Sequence, residues 1–177
     1  MKIIDLPNRI TDLLEELNAP ERLKKHLQIV HSTAHDLISQ FKQKWPLISF
    51  NEELVLLGAG THDIGKTEIT SELFENGKKH ELRGEQLLIE YGFTENEARF
   101  AFTHGNWQDE NVKLEDLVVA LADKVWKGKR VDALEEKLGQ MLAENLTTDY
   151  WEIYTELDQI LEKLASGADE RLTWQGQ

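Results

Sequence analysis

The sequence of 177 residues has no cysteine, which excludes disulfides and thiolate metal ligands together. Prolines occur only at positions 7, 20 and 46, so little interrupts a helical chain. No apolar run reaches membrane-spanning length, and the first residues, Met1 to Asp5, lack the apolar core of a secretory leader. Positive charge is in short supply: 20 lysines and arginines face 33 aspartates and glutamates, a net charge of −13. A surface of that sign repels a phosphate backbone, so a nucleic-acid polymer is not an expected partner. A small phosphorylated ligand remains compatible, because a few local cations and a metal can reverse the field inside a pocket. Together these absences lead to the expectation of a cytoplasmic protein with no membrane partner. They leave its oligomeric state open.

Hydrophobic residues at 40% and charged residues at 30% fit a globular chain, and residues 1–177 read as one domain. Strand-like alternation is nearly absent and helical spacing recurs, which predicts an all-α bundle of seven to eight helices. Leu13, Leu14 and Leu17 mark a first helix, stopped by Asn18, Ala19 and Pro20. Pro20 opens a longer helix to about residue 44, with Leu23, Leu27, Val30, Ala34, Leu37 and Phe41 on one face. Helices are expected over 52–62 and 79–91. Gly92 ends the second of these, and Thr94 with Glu97 forms a capping-box signature for the next. Further helices are expected over 114–127, 131–145 and 149–165. Residues 166–177 read as a polar tail, with Trp174 positioned to dock back.

From Leu54 to Ile64 the only charged side chain is Asp63. A carboxylate ending an apolar helix is costly unless it is paired or holds a metal, and His62 beside it supplies a second donor. Asp123 repeats the pattern within the apolar run Val118 to Ala122. Upstream, His26, His31 and His35 share one helix. At about 100° per residue the apolar stripe lies nearest His26 and farthest from His35. His80 and His104 fall between the doublet and Asp123.

The run Thr61, His62, Asp63, Ile64, Gly65, Lys66 resembles the signature of the HD metal-dependent phosphohydrolase superfamily, and the resemblance spans about residues 23–130. It implies a ligand set of His26, His62, Asp63, His80, His104 and Asp123. His26 is favoured by Val30 and Ala34 at the spacing the family shows, with His31 in reserve. The segment His80 to Leu88 and the Ala122, Asp123, Lys124 ending are similar to family segments. The two additional histidines, His80 and His104, are what distinguish members able to hold two metals. Such a set implies one or two divalent cations per chain, with iron, manganese, cobalt or zinc all suitable.

The resemblance implies hydrolysis of a phosphate ester or anhydride, with a nucleotide or dinucleotide as the expected small substrate. Asp63 and Lys66 are the expected catalytic residues. Lys66, Arg83 and Arg130 are the expected phosphate contacts, Arg130 because residues 123–130 resemble the ending of dinucleoside-polyphosphate hydrolases. Lys124, Lys127 and Lys129 lie near ligand segments and are further candidates for phosphate contact, with solvated surface charge as the competing reading. Two alternatives stay open at this point. One is a mixed-valent di-iron oxygenase, which shares the ligand set. The other is a metal-stabilised binding module without turnover. Residues 131–165 carry helices but no legible motif.

Overall fold

A computed structural model describes residues 2–176, and these contain helices and turns but no strand. Helix α1 (Asn8–Glu16) buries Ile10, Leu13 and Leu14. Helix α2 (Glu21–Lys44) follows Pro20, whose carbonyl accepts the first amides of the helix. At 24 residues it spans about 36 Å, long enough to join two packing regions. Its Leu23 and Leu27 enter a core formed with α1, and its Ile29 to Phe41 enter a larger one.

Helix α3 (Glu52–Thr61) and helix α7 (Leu114–Val125) pack on each other and on α2. Both are apolar on nearly every side, so burial inside the bundle is their stable solution. Asn51 caps α3 by accepting the Leu54 amide. Between them lie α4 (Lys79–Glu90) and two short segments, α5 (Glu95–Ala98) and α6 (Phe100–Thr103). Thr94 and Glu97 form the expected capping box at α5. The helix predicted after Thr94 is interrupted at Arg99, whose guanidinium turns to the buried Asp116 carboxylate on α7 at 3.0 Å. Helices α8 (Asp132–Leu146) and α9 (Tyr150–Ala165) cover the far side of the larger core.

The reading of 166–177 as a polar tail is corrected. Residues Ala168–Gly176 form a further helix, α10, and Trp174 packs against the core. The anchor is Arg171, which is buried and donates to the carbonyls of Val125, Trp126 and Leu164. Those carbonyls end α7 and α9, where backbone acceptors lack partners and the helix dipole is negative. A hydrophobic pattern cannot register such an anchor, because the group buried is a cation.

The turn after α3 explains two glycines. Residues Ile64–Thr67 form a 3-10 turn laid directly on the backbone of α4. A methyl on Gly65 would collide with the His80 carbonyl and come within 2.7 Å of the Gly84 amide. This close approach brings the His62–Asp63 doublet and His80 into one place.

Candidate metal centre

Five helices and one turn converge on the site. His26 projects from α2, His62 from the end of α3, Asp63 from the following turn, and His80 from the first turn of α4. His104 comes from the end of α6 and Asp123 from the last turn of α7. All but His26 are buried, and His26 is half-buried.

Asp63 lies between two groups of donors. Its Oδ2 is 3.1 Å from His26 Nε2 and 3.7 Å from His62 Nε2. Its Oδ1 is 3.0 Å from His80 Nε2 and 3.5 Å from His104 Nε2. Asp123 Oδ1 joins the first group, 3.5 Å from His26 and 3.6 Å from His62. Ligand bonds of about 2.1 Å place neighbouring donor atoms about 3.0 Å apart in an octahedron and about 3.4 Å apart in a tetrahedron. The two shortest contacts, 3.0 and 3.1 Å, match the octahedral value. The other four, 3.5–3.7 Å, lie slightly beyond the tetrahedral one, with the one carboxylate lying between both groups.

The tautomers agree with that arrangement. His62 Nδ1 lies 3.0 Å from the Ala59 carbonyl and His104 Nδ1 3.1 Å from the Phe100 carbonyl. A carbonyl only accepts, so the proton sits on Nδ1 and the Nε2 lone pair points inward. His80 Nδ1 meets Glu72 Oε2 at 2.6 Å, the carboxylate–histidine pairing that orients metal ligands. Asp63 Oδ1 and His80 Nε2 are both buried without a hydrogen-bond partner, despite their closeness. Two buried acceptors facing each other are stable only with a proton or a cation between them. The residues present fit a divalent metal.

Burial alone would raise the Asp63 carboxyl, but the surrounding histidines, His62 foremost, hold it well below the usual range. Burial opposes ionisation of Asp123 too, and the neighbouring His62 with the Lys124 charge overcomes it. Both carboxylates are therefore ionised and ready to bind. Burial pushes the His104 imidazole down. It also pulls on His80, but Asp63 and Glu72 outweigh it and raise that imidazole.

A pocket of about 460 Å³ opens over the cluster. Arg22, Lys66, Lys124 and Lys127 contribute to its lining, a local reversal of the chain's negative charge. Lys66 Nζ is 2.6 Å from Asp63 Oδ2, and Lys124 Nζ is 2.6 Å from Asp123 Oδ2.

The chain's HD character is decided by its match to a known family. The family model described as HD domain matches residues 13–126, about two-thirds of the chain. This chain belongs to the HD domain family. Comparison with curated proteins and with solved structures gives no match. The matched HD span carries all six convergent residues.

Several expected contacts of the HD pocket are not brought to it. Arg83 is held by the carboxylates of Glu68 and Glu90, at 2.6–3.0 Å, and does not line the pocket. Arg130 is held by Glu135, Asp158 and Glu162 on α8 and α9. Neither arginine of this expectation is brought to the pocket: both are half-buried, and in so acidic a chain each guanidinium is engaged by nearby carboxylates. His31 is buried away from the cluster and His35 is exposed. Lys129 is exposed outside the pocket.

Other residues of the site escaped the sequence reading. Arg22 carries no local signal. Of the three candidate lysines near the ligand segments, Lys124 and Lys127 line the pocket. Glu72 is eight positions before His80 in a short 3-10 turn, Thr70–Leu73, and only the fold brings it there. Glu81 is buried, accepts from the Asn106 amide at 2.7 Å, and lies within ligand reach of His80 and His104. A carboxylate next to a candidate ligand histidine was the available clue.

Proposed function

We propose that the protein is a metal-dependent phosphohydrolase that cleaves a small phosphate ester or anhydride, a nucleotide being the expected class. The observation that carries this reading is the pairing of a two-part His/Asp cluster with four cationic side chains lining the same pocket in a chain of net charge −13. Bound there, a divalent metal would acidify water and polarise a phosphoryl oxygen.

His26, His62 and Asp123 would hold one metal, His80 and His104 a second, and Asp63 would link the two. Lys66 and Lys124 sit where a phosphoryl group would meet the cluster. Their ammonium groups would offset charge that builds on its oxygens during displacement. Glu72 would fix the His80 ring, and the Ala59 and Phe100 carbonyls would fix those of His62 and His104.

The test is phosphate release from a nucleotide panel by metal-reconstituted protein, under anaerobic conditions. Hydrolysis needs no oxygen, so turnover should persist without it. It should collapse in Asp63→Ala and fall about 10²–10³-fold in Lys66→Ala, the loss of one charge-stabilising contact. Oxygen uptake coupled to substrate loss, without phosphate release, would instead assign the site to the di-iron oxygenases. Failure of the metal-loaded protein to turn over any substrate by either route would favour the binding-module reading.

A further inference from the structure

Beyond the cations and candidate ligands, the pocket has a wall that the family span does not supply. The HD match stops at residue 126, whereas α10 contributes Leu172 and Gln175 to the pocket lining. These two are three apart and share one face of the helix. Across the same pocket lie Leu23 of α2 and Trp126, the residue that ends α7.

The wall is positioned from inside the protein. Arg171, next to Leu172, donates to the Trp126 and Val125 carbonyls and to that of Leu164. These are the buried acceptor ends of α7 and α9, so the cation binds where both helix dipoles are negative. Asp123 lies less than one turn before Trp126 on the same helix. Arg171 thus ties α10 to the helix that carries a candidate metal ligand. Gly128 turns the chain away with φ +76°, and a methyl there would stand 3.0 Å from Ala168 Cβ. On the other side, Trp174 lies 5.9 Å from the Lys25 ammonium of α2. Leu172 nevertheless keeps 44% of its surface exposed. An anchored helix presenting an exposed leucine beside an amide, over a polar site, offers contacts a phosphoryl group cannot use.

We propose that α10 is the specificity wall of this pocket. Leu172, with Leu23 and Trp126, would pack on a flat apolar face of the substrate's non-phosphate part, and Gln175 would hydrogen-bond its polar edge. A planar heterocycle joined to phosphate, as in a nucleoside monophosphate, has that chemistry. This rests on the phosphohydrolase reading for the location of the phosphate but not on turnover.

Binding of AMP and of inorganic phosphate to metal-loaded protein, followed by calorimetry, separates the two. The wild-type protein should bind AMP more tightly than phosphate. The double variant Leu172→Ala, Gln175→Ala should weaken AMP binding about tenfold or more and leave phosphate affinity and metal content unchanged. Both side chains are at the surface of α10, so a matching unfolding temperature serves as the fold control. Equal loss for both ligands, no loss for either, or wild-type AMP binding no tighter than phosphate would overturn the proposal. AMP-selective binding that depends on α10, in a protein that hydrolyses no phosphate compound, would leave the wall standing and sink the hydrolase reading. No binding of AMP or phosphate by wild-type protein would sink both.

Discussion

At the residue scale, Asp63 takes its role from facing two ways. Its oxygens divide the histidines into His26 with His62 and His80 with His104. If each group holds a metal, His80→Ala should reduce metal content from about two per chain to about one while His26, His62 and Asp123 retain the remainder. Elemental analysis of the purified variants decides it, and unchanged content in His80→Ala would refute the two-part site. His31 makes a different prediction. Burial, with the nearby His35 charge, lowers its pKa to about 4, and its Nδ1 has no partner. In the unfolded chain the same imidazole titrates near ~6.5. Above that pH it is neutral in both states and costs nothing. As pH falls from about 6.5 toward 4 the unfolded chain takes up the proton first, so stability is lost across that window. The loss between pH 7 and 5 should be on the order of 2 kcal/mol. Urea denaturation of His31→Leu at both pH values should show a correspondingly smaller loss, and identical pH dependence would exclude His31 as the cause.

At the element scale, the turn Ile64–Thr67 against α4 is the joint that unites the donor groups. Replacing a glycine by alanine in helical backbone ordinarily stabilises, by up to about 1 kcal/mol. Gly65→Ala should do the reverse and cost about 1–3 kcal/mol, because the new methyl meets α4 backbone that cannot swing aside. It should also lower metal affinity by displacing His80 from Asp63. A denaturation midpoint at or above the wild-type value would show that the close approach is absent. Helix positions were largely readable: the Thr94 capping box, the stop at Gly92 and the apolar runs of α3 and α7 stand where local sequence puts them. Helix α10 was not readable, since polar residues dominate it and its anchor is a buried arginine.

At the scale of the molecule, the cluster lies between two hydrophobic cores, and α2 contributes to both. Cation binding there should stabilise the whole fold, because the unfolded chain does not assemble the site. At free metal about 100-fold above Kd the gain is about 2.7 kcal/mol. For a chain of this size that corresponds to about 5–10 °C in Tm. Chelation followed by thermal unfolding should reveal a shift of that size, reversed by added metal. A Tm indifferent to chelator would argue that the cluster holds no structural or catalytic ion. Among the described residues no helix is long and apolar enough to cross a membrane.

The sequence by itself determined the helical class and marked Asp63 and Asp123, because apolar periodicity and a carboxylate stranded in an apolar run are local signals. His80 and His104, by contrast, were singled out only by the resemblance to the family. Spacing along one helix was enough to separate His26 from His35. Only the tertiary structure decided which charges reach the pocket. Arg83 and Arg130 are drawn off by nearby carboxylates, while Arg22 of α2 and Lys127 of the turn after α7, about a hundred residues apart in sequence, are brought to the pocket. Glu72 meets His80, and Arg171 meets the ends of α7 and α9, by the same long-range packing. Electrostatic partnership depends on distance in space, and the chain order carries that information only after the helices have packed.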